Sequence, residues 1–162
     1  MLAPFEPAVL ALAQALRASG CKIATAESCT GGLIAAACTA VAGSSDWFER
    51  GFVTYSNEAK DESLGVPMAL IRAHGAVSEE VARAMAEGAL AHSRATLAVA
   101  VTGIAGPGGA TPGKPVGTVW MALAQHDGAT QSELLNLAGD RSAVREQTVH
   151  HALKRLLERA AS

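Results

Sequence analysis

Two nucleophile candidates, Ser28 and Cys29, stand side by side in TAESCTGG (residues 25–32), where the apolar run CKIA gives way to two glycines and the run LIAAACTAV. A hydroxyl or thiol at a strand-to-helix junction suits acyl transfer, because unpaired N–H groups and the positive end of the helix dipole favour negative charge there. Thr30, Gly31 and Gly32 would attract an anion for the same reason. The plainer alternative makes Ser28 or Thr30 a helix N-cap, with glycines that permit close packing. A serine needs a base to attack an amide. YSNEAK offers one in Lys60, whose pKa falls when it is desolvated, with Tyr55 able to relay a proton or hold the amine. Considered alone, Lys60 reads as a solvated helix charge among Glu58, Asp61 and Glu62. Cys29 is the rival nucleophile, since a thiolate is readily activated at a helix N-terminus, yet no histidine lies where it could be paired with it.

Two further stretches bear on the same chemistry. VTGIAGP (residues 101–107) leaves an apolar run and turns through glycines, so Thr102 and Gly103 could bind an amide or help form an oxyanion hole. Gly139-Asp140-Arg141 opens the last helix, and the planar donor fork of Arg141 suits a phosphate or carboxylate; the alternative is a solvated arginine beside a cap. Other motifs fail on chemistry. GGATPGKP spaces Gly108, Gly113 and Lys114 as a phosphate loop does, but Pro115 replaces the metal-binding hydroxyl and a strand, not a helix, follows. Gly106-Pro107-Gly108 lacks the third glycine of a dinucleotide fingerprint. The five histidines (74, 92, 126, 150 and 151) offer no ligand pair at i, i+4 and no thiol or carboxylate cluster, so no metal is expected.

These residues need a scaffold, and the pattern supplies an α/β one. Val9, Leu10, Leu12, Ala13 and Leu16 mark a helix closed at Ser19-Gly20. CKIATA reads as a strand, and LIAAACTAV as a helix burying Leu33, Ile34, Ala37, Cys38 and Val41. WFERGFVTYS reads as a second strand running to Tyr55. A short helix capped by Ser56 or Asn57 stops at Gly65, another follows Pro67, and Ser78 caps a longer one to about Ser93 that buries Val81, Met85 and Ala89. TLAVAVTG is apolar with almost no alternation, which implies a central strand covered on both faces. VGTVWMALA and TQSELLNLA complete the strands, and Val149, Ala152, Leu153, Leu156 and Leu157 stripe a last helix from about Ser142 to Ala160. The expectation is one α/β domain over residues 1–162, a three-layer α/β/α sandwich around a mixed sheet of about five strands.

Composition limits the partners. The 162 residues are 49% hydrophobic and only 17% charged, with a formal net charge of −2, which provides no basic face for nucleic acid. Cys21, Cys29 and Cys38 match neither a disulfide framework nor metal hooks and suit reduced thiols in a cytoplasm. The first twenty residues read as an amphipathic helix and not a signal peptide, and no apolar run approaches a membrane span. A cytoplasmic homo-oligomer with a small-molecule substrate, no membrane and no cofactor is the expectation.

TAESCTGG, AGSSDWFERGFVTYSNEAK, HGAVSE, VTGIAGPGG and KPVGTVW, in this order and spacing, closely resemble the nicotinamide-nucleotide amidase family, also known as the CinA C-terminal domain, from about Lys22 to Arg141. The resemblance implies hydrolysis of nicotinamide mononucleotide to nicotinate mononucleotide and ammonia, in pyridine-nucleotide recycling. Carried over, the family's serine nucleophile falls on Ser28, its lysine base on Lys60 and its assisting tyrosine on Tyr55. Glu27, Thr30, Gly31 and Gly32 match its nucleophile loop, Thr102, Gly103, Gly106 and Pro107 its glycine-rich loop, and Arg141 a basic residue near the last helix. The resemblance further implies that the N-terminal domain of some members is absent here. A non-catalytic nucleotide-binding module is the alternative of another class.

Overall fold

A computed structural model describes residues 2–162, and its core is the expected mixed sheet. The strands are β1 (Ile23–Glu27), β2 (Phe48–Val53), β3 (Leu97–Gly103), β4 (Thr118–Gln125) and β5 (Gln131–Asn136), in the spatial order β2-β1-β3-β4-β5. β1 runs parallel to both β2 and β3, whereas β4 runs antiparallel to its neighbours β3 and β5. The chain leaves β1 towards β2 on one side, and β3 arrives on the other. The carboxyl end of β1 is therefore a topological switch point, where open α/β sheets leave a crevice for ligands.

The helices are α1 (Glu6–Ser19), α2 (Leu33–Thr39), α3 (Asn57–Leu64), α4 (Met68–His74), α5 (Glu79–Ala91) and α6 (Arg141–Ala161). Side chains alternate across each strand, so one face of the sheet presents Ile23, Val99, Val101, Val119, Met121 and Leu123, packed under α1, α2 and α6. The other face presents only alanines at the centre. Ala24 pairs with Ala98 and Ala98 with Ala124, while Ala26 pairs with Ala100 and Ala100 with Ala122. α5 lies on this flat stripe through Val81, Ala82, Met85, Ala86 and Ala89. Its Gly88 approaches α3 so closely that an added Cβ would stand 2.1 Å from the Leu64 carbonyl oxygen.

Most caps follow their residue chemistry. Ser56 Oγ accepts from the Ala59 N–H, Ser78 Oγ from the Val81 N–H and Asp140 from the Ala143 N–H. One helix face and two boundaries differ from expectation. Leu10 is 52% exposed, because the buried set of α1 is Val9, Leu12, Ala13 and Leu16, at i, i+3, i+4 and i+7, and Leu10 is turned away from it. α2 ends at Thr39, whose hydroxyl donates back to the Ala35 carbonyl, so Val41 lies beyond the helix. β2 ends at Val53, not Tyr55. Among the described residues no helix is long and apolar enough to cross a membrane.

Candidate active site

β1 and β3 deliver Ser28 and Thr102 to the same rim, held in register by the Glu27–Val101 pairing and by the Ser28 N–H donating to the Val101 carbonyl at 3.1 Å. The Thr54 N–H makes the last bond of β2 to β1, to the Glu27 carbonyl at 2.9 Å, and the chain then turns into α3. That turn brings Lys60 inward. Its Nζ lies 3.1 Å from Ser28 Oγ and 2.9 Å from the Thr54 carbonyl oxygen, with the Tyr55 and Ser56 carbonyls each at 3.5 Å.

Lys60 is 1% exposed, so the solvated helix charge that its acidic neighbours suggest is corrected to a buried amine. The reason is the helix phase: Glu58, Asp61 and Glu62 face solvent while Lys60 and Leu64 face the sheet. Among the described residues no carboxylate lies within 4.0 Å of the amine. Burial therefore lowers its pKa below the ordinary 10.5, with a smaller opposing pull from Cys29. A neutral amine has two N–H donors and one lone pair; the surrounding carbonyls can take the donors, the nearest being that of Thr54, and the lone pair can then accept from the Ser28 hydroxyl.

The adjacent thiol is in the opposite condition. Cys29 is 6% exposed, and burial pushes it up to about 12, so it stays protonated at neutral pH.

Ser28, Cys29, Tyr55, Asn57 and Lys60 line one side of a cavity of about 260 Å³. Ala76 and Val77, from the α4–α5 linker, and residues of the 102–109 stretch close the other side, with Arg141 at the mouth. Tyr55 is 62% exposed, and its hydroxyl accepts from Arg141 Nη2 at 3.0 Å, while Arg141 Nη1 donates to the Gly106 carbonyl at 2.9 Å. The tyrosine thus meets Lys60 only through its backbone carbonyl. Gly103 and Gly106 line the cavity as well. Thr102 lines it too, but its Oγ1 donates to the Ala76 carbonyl at 2.8 Å and so ties β3 to the linker.

The helix N-terminus expected to hold a substrate anion is occupied from within. Glu27 is fully buried, and its carboxylate accepts from the Thr30 hydroxyl at 2.5 Å and from the Ile34 and Ala35 N–H groups at 2.8 and 3.0 Å. It caps α2 in place of Gly32, which has no side chain to do so. Gly31 and Gly32 adopt left-handed φ of 58° and 103°, which lets the chain fold back over this carboxylate. Glu27, Thr30, Gly31 and Gly32 therefore stand beneath the nucleophile turn and outside the cavity lining.

Arg145 went unnoticed in the sequence, although it lies one helical turn after Arg141 on the same side of α6. Its Nε donates to the Cys29 carbonyl at 3.2 Å and its Nη2 to the Thr30 carbonyl at 3.0 Å. Asn57, Ala76 and Val77 are further lining residues, the first of them the opening residue of α3 after its cap Ser56. The near-phosphate-loop lysine, Lys114, donates to the His74 carbonyl at 2.9 Å and pins its exposed loop to α4.

Comparison with known proteins places the chain among relatives of similar length and fold. The family model described as the CinA C-terminal domain matches residues 6–160. A Pseudomonas putida protein named nicotinamide-nucleotide amidohydrolase PncC is 53% identical over 156 residues, 96% of each chain. A CinA-like protein of Akkermansia muciniphila is 57% identical over 137 residues, 85% of this chain but 33% of its own length, so this chain spans about a third of that relative. The solved structure of the competence/damage inducible protein CihA from Agrobacterium tumefaciens superposes with a TM-score of 0.93 at 45% identity, covering 95% of this chain and 94% of that one.

Proposed function

We propose that this chain, which belongs to the CinA C-terminal domain family, hydrolyses the carboxamide of nicotinamide mononucleotide to nicotinate mononucleotide and ammonia, with Ser28 as nucleophile and Lys60 as its base. The observation that carries this reading is the 3.1 Å approach of a buried lysine amine, lacking a carboxylate partner, to a serine hydroxyl in the wall of a cavity. The substrate is suggested by the name of the Pseudomonas putida relative, which matches along nearly its whole length.

In the proposed cycle Lys60 takes the Ser28 proton as Oγ bonds to the carboxamide carbon. The oxyanion is met by N–H groups of the nucleophile turn or the 102–106 loop; the Cys29 N–H adjoins the nucleophile in the chain and has no backbone acceptor. Collapse breaks the C–N bond, and the Lys60 ammonium returns its proton to the departing nitrogen, giving ammonia and a Ser28 ester. Water, deprotonated by Lys60, then cleaves the ester and restores the serine. Tyr55 assists from the cavity mouth, where its bond from Arg141 leaves its own proton free to donate. Arg141, the other cation of the lining, takes the phosphate. The free thiols suit a cytoplasmic setting, and the proposed substrate and product would place the reaction in pyridine-nucleotide recycling.

Ammonia release from nicotinamide mononucleotide tests the assignment. Ser28→Ala and Lys60→Ala are expected to lose at least about 1000-fold in kcat, and Cys29→Ala to stay within about threefold of wild type. Wild-type turnover in Ser28→Ala would refute the serine mechanism. Binding of the nucleotide without ammonia release by the wild type would instead favour the non-catalytic module.

A further inference from the structure

The Ser28–Lys60 pair fixes the nucleophile and its base, but it does not fix the amides that must meet the developing oxyanion. We propose that Arg145 is the positioning residue that orients those amides, an inference that rests on the acyl-transfer reading above.

The argument starts from peptide planarity. In a trans peptide the C=O of one residue and the N–H of the next point in opposite directions in one plane, so holding the carbonyl aims the amide. Arg145 Nε holds the Cys29 carbonyl and thereby aims the Thr30 N–H; its Nη2 holds the Thr30 carbonyl and thereby aims the Gly31 N–H. The Gly31 N–H donates at 3.0 Å to the Ser28 carbonyl, and that bond aims the Cys29 N–H. One guanidinium thus sets three consecutive peptide planes after the nucleophile. Among the N–H groups of this turn, those of Cys29, Thr30 and Gly32 have no backbone acceptor, and the first two are the ones nearest the nucleophile in the chain.

Arg145 is suited to this task and to no evident other. It is half-buried, lies outside the cavity lining, and among the described residues has no carboxylate within 4.0 Å, so its donors are committed to the turn. Glu27 holds the same turn from its inner side through α2. The Ser28–Lys60 contact is built by β1, Thr54 and α3, none of which Arg145 touches by hydrogen bond. Loss of Arg145 should therefore leave the dyad in place and mis-aim the amides. An interaction used only by the oxyanion lowers kcat and leaves KM unchanged.

Arg145→Gln, Arg145→Lys and the remote comparator Arg155→Gln, which breaks the α6 pairing with Glu133, separate this role from a structural one. Two reactions are read. The first is ammonia release from nicotinamide mononucleotide. The second is labelling of Ser28 by an alkyl phosphonofluoridate, in which the Oγ–P bond forms, the P–F bond breaks, fluoride leaves and Lys60 accepts the proton. Arg145→Gln is expected to lose about 10- to 100-fold in kcat and in labelling rate with KM within about twofold, Arg145→Lys to recover part of that loss, and Arg155→Gln to lose thermal stability but keep kcat.

Wild-type kcat and labelling in a folded Arg145→Gln would overturn the proposal, as would a raised KM at unchanged kcat. Should Arg145→Gln fail to fold, Arg145→Lys carries the test, with about a 3- to 10-fold loss in kcat expected and wild-type kcat overturning it. A wild type that releases no ammonia would sink the substrate assignment, while the labelling rates would still decide the role of Arg145.

Discussion

The two faces of the sheet hold the two halves of the candidate dyad by different means. The face under α1, α2 and α6 is built of valine, isoleucine, leucine and methionine, and above it the nucleophile turn is fixed by charge, with Glu27 inside and Arg145 outside. The face under α5 is an alanine stripe, and the base on α3 is placed by steric proximity, through Gly88 against the Leu64 carbonyl. Large side chains supply most of the buried area, about 25 cal/mol for each Å² of apolar surface, whereas small ones set how near two backbones approach. Stability and placement are thus distributed unequally: one half of the site depends on polar groups that must stay satisfied, the other on atoms that must stay absent.

The largest way to disturb this division is Gly88→Ala. A methyl 2.1 Å from a backbone oxygen forces α5 and α3 apart, with an expected cost of about 3 kcal/mol in urea denaturation and, because Lys60 rides on α3, a loss of kcat in the folded fraction. Glu27→Gln comes next, at about 2 kcal/mol. The amide can accept from fewer of the three donors and sets its own NH₂ against one of them, loosening the nucleophile turn while leaving the α3 side intact. Smallest is Ala100→Val, which thickens the alanine stripe at its centre and should cost about 1.5 kcal/mol. If the alanine face is a spacer for the base, this change lowers kcat by more than its stability cost alone would suggest; unaltered kcat would show that the spacing tolerates a methyl pair.

Much of this architecture was legible in residue patterns, since the elements rest on local rules. Ser78 before Glu79-Glu80 and Ser56 before a polar helix are caps that need no tertiary context. The apolar run at β3 identified a strand covered on both faces, but its large-small alternation also contained the difference between those faces, Leu97, Val99 and Val101 against Ala98 and Ala100. Tyr55 and Lys60 were legible as partners for a serine only on the supposition that two strands share a rim, which the parallel β1–β2 pairing provides. Other features were hidden because they depend on direction. Nothing local shows that Glu27, the last residue of a fully buried five-residue strand, turns its carboxylate under α2 instead of towards a ligand, or that the Thr102 hydroxyl serves the linker at Ala76. Arg145 was hidden by distance, 115 residues from the carbonyl of Thr30.

The central claim is that Lys60 serves as a neutral amine, and its titration tests that most directly. Burial lowers its pKa in the folded chain, while in the unfolded chain it titrates near 10.5. Between those two values the unfolded state binds the extra proton, so stability rises with pH across that window, and Lys60→Met should abolish the rise. Selective nitrogen-15 labelling of lysine, followed by NMR over pH, would assign the Lys60 amine by its absence in Lys60→Met. The account predicts an amine that titrates below 10.5, at the same pH at which kcat/KM for ammonia release climbs. A Lys60 amine that titrates at or above 10.5, with the kinetic limb elsewhere, would contradict it.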